Sequence, residues 1–181
     1  MKNKPWLHSD TWDNQSQFMT WLRGQMRQIW SAYPVRTEHK DEMCIDVTPE
    51  LRECHNLHRQ TKKVAQCQLC FDWFPKSKLE SDHIEGHVRF TQMEDIDSYM
   101  DHLLCPPENL QLVCKQCHRI KSYQQSKGIS FEEARLEKSV IAWLKENNTR
   151  QQKEILTLAG FSDNEINNAG NRRKSARKLL T

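Results

Sequence analysis

Two C-x-x-C pairs, Cys67-Gln-Leu-Cys70 and Cys114-Lys-Gln-Cys117, stand either side of the 43 residues 71–113. Each pair offers two thiolates at the close spacing that tetrahedral zinc takes. Such a site contributes about 10 to 16 kcal/mol of apparent metal-binding free energy, which becomes folding free energy when the ligands are not preassembled. Hydrophobic residues make up 36% of the 181 residues and charged residues 28%, so one large core is not expected and a local staple would matter. Buried reduced cysteines, or a redox-active pair, are the alternative readings. The total of seven cysteines is odd, which with the paired spacing argues for metal in a reducing compartment rather than a disulfide framework.

Hydrophobic periodicity organises the rest. Phe18, Trp21, Leu22, Met26, Ile29, Trp30 and Tyr33 recur at spacings of three and four, which predicts an amphipathic helix over 17–33 with one buried stripe. Pro34 closes it, because the residue before a proline disfavours the helical conformation. Residues 35–63 are polar and mixed, with Thr48-Pro49-Glu50 marking a short helix that reaches about His58. Residues 94–104 read as a helix ahead of Pro106-Pro107. Ser130-Phe131-Glu132-Glu133 is a capping box for a helix to about Asn147, anchored by Ile141, Trp143 and Leu144. Ser162-Asp163-Asn164-Glu165 is a second box, so 150–180 reads as short helices separated by tight turns. They form either a helix-turn-helix reader or an ordinary helical pair. The domains expected are an N-terminal helical extension (1–63), a cysteine- and histidine-rich core (64–128) and a C-terminal helical region (129–181).

The net charge of +3 is too mild to identify a partner. Its placement says more: Arg172, Arg173, Lys174, Arg177 and Lys178 cluster near the end of the sequence without an intervening acid. They suit phosphate contacts, or form a solvated basic tail. No signal-peptide core follows the opening residues 1–6 and no apolar run approaches the ~20 residues of a membrane span. We expect a soluble, intracellular protein with no membrane partner.

Between the cysteine pairs stand Asp82-His83-Ile84-Glu85-Gly86-His87 and Asn109-Leu110-Gln111, and the second pair continues into His118-Arg119-Ile120-Lys121. Over residues 64–126, about a third of the chain, C-x-x-C, D-H-I and N-L-Q-x-x-C-x-x-C-H-x-x-K resemble the HNH endonucleases that carry a zinc ribbon. The helix containing Leu22-Arg23 and ending near Pro34 looks like that of their phage-encoded members. The resemblance implies an α+β fold: a small ββα-metal core with a four-cysteine zinc site, flanked by N- and C-terminal helices. It implies Asp82 and His118 as ligands of one catalytic divalent ion, His83 as general base, Asn109 as the residue that positions it, and Lys121 as a phosphate contact.

The chemistry is also arguable from the residues. Phosphodiester hydrolysis needs a nucleophile and neutralisation of charge on the phosphate and departing oxygen, which a base beside a divalent ion supplies. A histidine with an unperturbed pKa near ~6.5 is partly neutral at cellular pH and can accept a proton from water. Neighbouring side chains in a regular strand point to opposite faces, so Asp82 and His83 are expected at a strand end or bend, with Gly86 supplying the freedom to turn. Taken singly, Asp82 reads equally as a turn residue, His83 or His118 as a packed histidine, and Asn109 as a loop residue. His87 is open between a third ligand, a phosphate contact and a plain polar residue. Cys44, Cys54, His55 and His58 read as ordinary helix residues or a second metal site.

The function expected is endonucleolytic hydrolysis of double-stranded DNA, by nicking or double-strand cleavage. It would use structural Zn²⁺ and catalytic Mg²⁺, Mn²⁺ or Ni²⁺, in a phage-encoded protein acting in the host cytoplasm, as in homing. A homodimer or a phage packaging partner is compatible with it. The alternative is a non-catalytic zinc-ribbon module that binds DNA or a packaging partner, for which Asp82 and His83 would be dispensable.

Overall fold

The computed structural model describes residues 4–86, 88 and 90–181. It is an α+β structure with two small antiparallel sheets, divided into two compact units, Met1–Lys115 and Gln116–Thr181. The division falls within the second cysteine pair. No helix among the described residues is long and apolar enough to cross a membrane.

In the first unit, α1 (Gln15–Ala32) starts at Asn14, whose side chain accepts from the Gln17 amide at 3.1 Å. Phe18, Met19 and Met26 are its buried residues, and Leu22 and Trp30 pack against the same cluster. Met19, outside the stripe read from the sequence, is 1% exposed, whereas Trp21 and Ile29 are 45% and 48% exposed. The buried arc is thus rotated by part of a turn toward the side that meets Phe90 and Leu103.

Pro34 has two effects. It holds Tyr33 extended (φ −66°, ψ 116°), ending α1, and then serves as the first residue of α2 (Pro34–Glu42). The sequence reading contained no helix here, because α2 is polar around most of its surface and fully buries only His39. After it come β1 (Ile45–Asp46) and α3 (Pro49–Cys54), capped by Thr48, whose hydroxyl accepts from the Leu51 amide. That helix stops at Cys54, short of His58.

The first sheet has the order β1, β2 (Lys63–Gln66), β3 (Trp73–Pro75), with Val64 opposite both Ile45 and Pro75. The second pairs β4 (Leu79–His83) with β5 (Leu110–Cys114) in a register that sets Leu79 opposite Cys114 and Asp82 opposite Gln111. All of β5 is buried, so it carries no alternating pattern. Between the two strands lie a 3-10 turn, Met93–Asp95, and α4 (Ile96–Leu103), which with Phe90 completes the cluster around α1.

The helix α5 (Lys115–Lys127) follows β5 directly in the chain. It ends before Gly128, whose φ of +64° lets its amide return to Gln124 O at 2.8 Å. The second unit continues with α6 (Phe131–Glu146), α7 (Thr149–Leu158), α8 (Asp163–Ile166) and α9 (Ala169–Leu179). Capping boxes form at Ser130 and Ser162 as expected, and a third at Asn148 with Gln151. The interior of α6 is Ala134 and Val140 rather than the bulkier anchors expected, Ile141 being 36% exposed. Glu137 on α6 pairs with both Arg173 and Arg177 of α9, whose guanidinium groups hold its carboxyl below the ordinary carboxylate value.

Candidate active site and cysteine cluster

The turn after β2 is built by the first cysteine pair. The Cys67 amide donates to Asp72 O and the Phe71 amide to Cys67 O at 2.8 Å, closing a tight loop around Cys70. Phe71 takes φ +62° to allow it, a left-handed conformation that costs a non-glycine residue about 1–2 kcal/mol. The Gln68 amide donates to Leu112 O, while the Leu112 amide donates to Gln68 Oε1 at 2.6 Å, which fixes this loop against β5.

The ligand atoms of Cys67, Cys70, Cys114 and Cys117 all lie within 4.8 Å of one another. Tetrahedral zinc with bonds of about 2.3 Å sets its four sulfurs about 3.8 Å apart, so this donor set fits the ion. The Cys114 amide donates to Cys67 Sγ at 3.3 Å. Burial pushes the Cys67 thiol up, but hydrogen bonds from the Cys114, Leu69 and Cys70 amides and from the Cys70 side chain outweigh it, leaving the pKa below the ordinary thiol value. Among the described residues this is the one such cluster of three or more Cys, His, Asp or Glu side chains. Cys44, Cys54, His55 and His58 form none. Cys44 is buried in the first unit, which raises its pKa, and His55 lies beside Trp73 at 6.0 Å between ring centroids.

His83 is the last residue of β4, and the chain bends at Ile84 and Glu85. Three contacts from α1 and α4 hold its ring. Trp30 of α1 lies against it, with ring centroids 4.3 Å apart, and His102 of α4 stacks at 6.1 Å. His83 Nε2 sits 3.0 Å from Leu103 O. A carbonyl only accepts, so Nε2 carries the proton and the neutral ring keeps its lone pair on Nδ1. The loop after His83 supplies the last restraint. Asn109 Oδ1 accepts from the Glu85 amide at 2.9 Å and Asn109 Nδ2 donates to Glu85 O at 3.2 Å, while the Ile84 amide donates to Asn109 O. The amide side chain thus clamps the backbone two residues beyond the histidine.

Asp82 is held from the opposite strand. Gln111, 6% exposed, donates from Nε2 to Asp82 Oδ2 at 3.1 Å and to His83 O at 3.4 Å. A neutral amide aims the carboxylate without cancelling its charge. Sequence reasoning placed Gln111 in the motif without giving it a task, and placed Trp30 in the core stripe. It passed over His102 and Leu103. The signal available for Gln111 was its position two residues beyond Asn109, one strand period away.

Gly86 is where this geometry is most easily broken. A Cβ built on it falls 2.8 Å from His83 Cβ, and a Cβ cannot move without its backbone. Gly86→Ala is therefore expected to shift His83 by a few tenths of an ångström to 1 Å and to lower by about 10²-fold any reaction that depends on this imidazole, with little change in thermal stability. Steady-state kinetics beside a melting curve would check this; an unchanged rate would mean that the position of His83 does not matter. His87 lies outside the described residues.

His118 and Lys121 are on α5 in the second unit, Lys121 being 8% exposed. Arg172 is also buried: Nε donates to Gln152 Oε1 at 2.9 Å and Nη1 to Ile166 O at 3.3 Å, while Gln152 Nε2 donates to Leu144 O and Asn147 O. Its guanidinium serves the interior of the helical unit. Arg173 and Arg177 share Glu137, Lys178 pairs with Glu165 at 3.4 Å, and Lys174 is exposed.

A protein of Lactococcus phage SK1 named "Probable HNH endonuclease" is 39% identical to this chain over 75 residues, which are 40% of this chain and 71% of that protein. No protein-family model and no solved structure matches the chain.

Proposed function

This chain belongs to the HNH endonuclease family, and we propose that it hydrolyses DNA phosphodiester bonds using one catalytic divalent ion. The observation that most supports catalysis is the restraint on His83. Trp30, His102, the Leu103 carbonyl and the Asn109 clamp together orient one imidazole with its lone pair on Nδ1. A module that only bound DNA or a packaging partner through its cysteines would need none of them.

In this reading His83 takes the proton of the attacking water at Nδ1, the water oxygen bonds to phosphorus, and the bond to the 3′ oxygen breaks. Asp82 and His118 would hold the ion, a carboxylate and an imidazole being donors that suit Mg²⁺, Mn²⁺ or Ni²⁺. Once bound, the ion supplies charge neutralisation for the phosphate and the departing oxygen. Gln111 keeps the Asp82 carboxylate aimed and Asn109 keeps the turn closed. The four cysteines hold structural zinc. Lys121 and the outward-facing basic residues of α9, Arg173, Lys174, Arg177 and Lys178, contribute phosphate contacts. The natural substrate is duplex DNA, and the phage relative fits a phage-encoded enzyme that works in its host's cytoplasm, as a homing endonuclease does.

Incubation with supercoiled plasmid and each divalent ion in turn is expected to give nicked or linear product that chelation prevents. One bound zinc per chain with intact plasmid under every ion would instead favour the zinc-ribbon binding module.

A further inference from the structure

Outside the site just described, the first unit carries a groove of ≈ 600 Å³ formed by the end of α2, the loop leading into β2 and the turn after β3. Its lining brings together Lys40, Lys62, Lys63 and Lys76 with His58 and Ser77, and no carboxylate is among the lining side chains. Counter-charge lies outside the lining: Asp41 pairs with Lys76, Glu80 acts on Lys40, and Asp46 stands opposite Lys63 in the strand pair, so the four ammonium groups still outnumber the acids beside them. Burial lowers the pKa of Lys40, Arg36 and Lys76 add to that effect, and Cys44 and Glu80 oppose it. Lys40 Nζ is fixed by donation to Leu79 O at 2.6 Å. His58 Nδ1 accepts from the Gln60 amide at 3.2 Å, so the neutral ring carries its proton on Nε2 and presents a donor. Nearly every polar tip in the groove therefore offers a positive charge or a proton, the complement of phosphodiester oxygens.

Chain connectivity relates the groove to the proposed chemistry. Lys76 opens the 3-10 turn Lys76–Lys78 that leads directly into β4, and His83 ends that strand. Lys40 Nζ reaches Leu79 O, and from Leu79 to His83 is four strand steps, about 13 Å at a rise of about 3.3 Å per residue. That is about four base pairs of duplex at a rise of 3.4 Å each.

We propose that this lysine groove is a second nucleic-acid contact, binding the phosphate backbone of the duplex about four base pairs from the phosphate that is cut. Its ligand rests on the nuclease reading, whereas its existence as an anion-binding surface does not. Lys62 and Lys63 are exposed, so Lys62→Gln combined with Lys63→Gln removes two charges without opening the core.

The test is binding to a duplex of about three helical turns over a range of salt concentrations, without divalent ions. If each of the two lysines neutralises one phosphate, the double substitution is expected to make the slope of log K against log salt shallower by about 1.8. Plasmid cleavage by the same variant should show a raised KM and an unchanged kcat. Lysine acetylation read by mass spectrometry should show Lys62, Lys63 and Lys76 protected when duplex binds. An unaltered salt slope, or undiminished acetylation of these lysines, overturns the groove even if plasmid is cut. A shallower slope in a protein that cuts nothing keeps the groove and overturns the nuclease. A chain that does not bind duplex overturns both.

Discussion

Replacing His83 by alanine is expected to lower plasmid cleavage by about 10²- to 10⁴-fold, the range over which a positioned general base contributes. The loss should appear in kcat, because a base that accepts its proton during bond formation does its work in the transition state and not in substrate binding. Affinity for duplex should hardly change. Some loss of stability is expected as well: the Trp30 ring loses a partner 4.3 Å away and Leu103 O loses the Nε2 proton. A group left without its hydrogen bond costs about 1–3 kcal/mol when buried, so rate and melting curve must be measured on the same preparation. His83→Gln keeps an amide donor within reach of Leu103 but has no comparable base. It should restore most of the stability and none of the rate. Full cleavage by either variant would remove His83 from the mechanism.

What could be read from the sequence was whatever depends on local spacing. The cysteine pairs specified their own cluster because the first lies on a turn closed within a few residues and the second spans the junction of β5 with α5. The capping boxes at Ser130 and Ser162 specified helix starts for the same reason. Strand geometry led to the expectation that Asp82 and His83 sit at a strand end or bend; His83 ends β4, while Asp82 lies inside the strand, paired opposite Gln111. Other features depend on which elements meet. Nothing within the 26 residues between His83 and Leu110 says that the carbonyl of Leu103 returns to the histidine ring, or that Trp30 of α1 covers it. The buried arc of α1 was misread by part of a turn because aromatic residues at its edge, such as Trp21, are apolar yet 45% exposed. The helix α2 escaped notice because its packing rests on His39 and on backbone contacts: Ser81 Oγ donates to Arg36 O and Lys40 Nζ to Leu79 O. Periodicity registers none of these.

Loss of one cysteine ligand is expected to have the larger effect on the molecule as a whole. Cys67, Cys114 and Cys117 are 0%, 6% and 5% exposed, and with zinc bound their negative charges would be offset in part where water hardly reaches them. Take the ion away and these groups must either repel one another or protonate in a poorly solvated place. At about 10 to 16 kcal/mol the metal term is comparable in size to the ~5–15 kcal/mol of net stability of a typical domain. A chain with 36% hydrophobic residues has little else to replace it. Cys114→Ser, or complete zinc removal by a chelator, is therefore expected to abolish the cooperative thermal transition of the native protein, with cleavage lost as a consequence. Cys54→Ser makes the contrast: Cys54 is exposed and outside the cluster, so its replacement should change stability by no more than about 0.5 kcal/mol. Circular dichroism melts with bound zinc quantified by mass spectrometry would separate the two. If Cys114→Ser keeps a cooperative transition at the wild-type temperature, the cluster is not a structural metal site and the fold must draw its stability from the apolar cluster around α1 and α4. If the transition is lost while Cys54→Ser retains it, the four sulfurs are what allow so polar a chain to hold His83 in a fixed place.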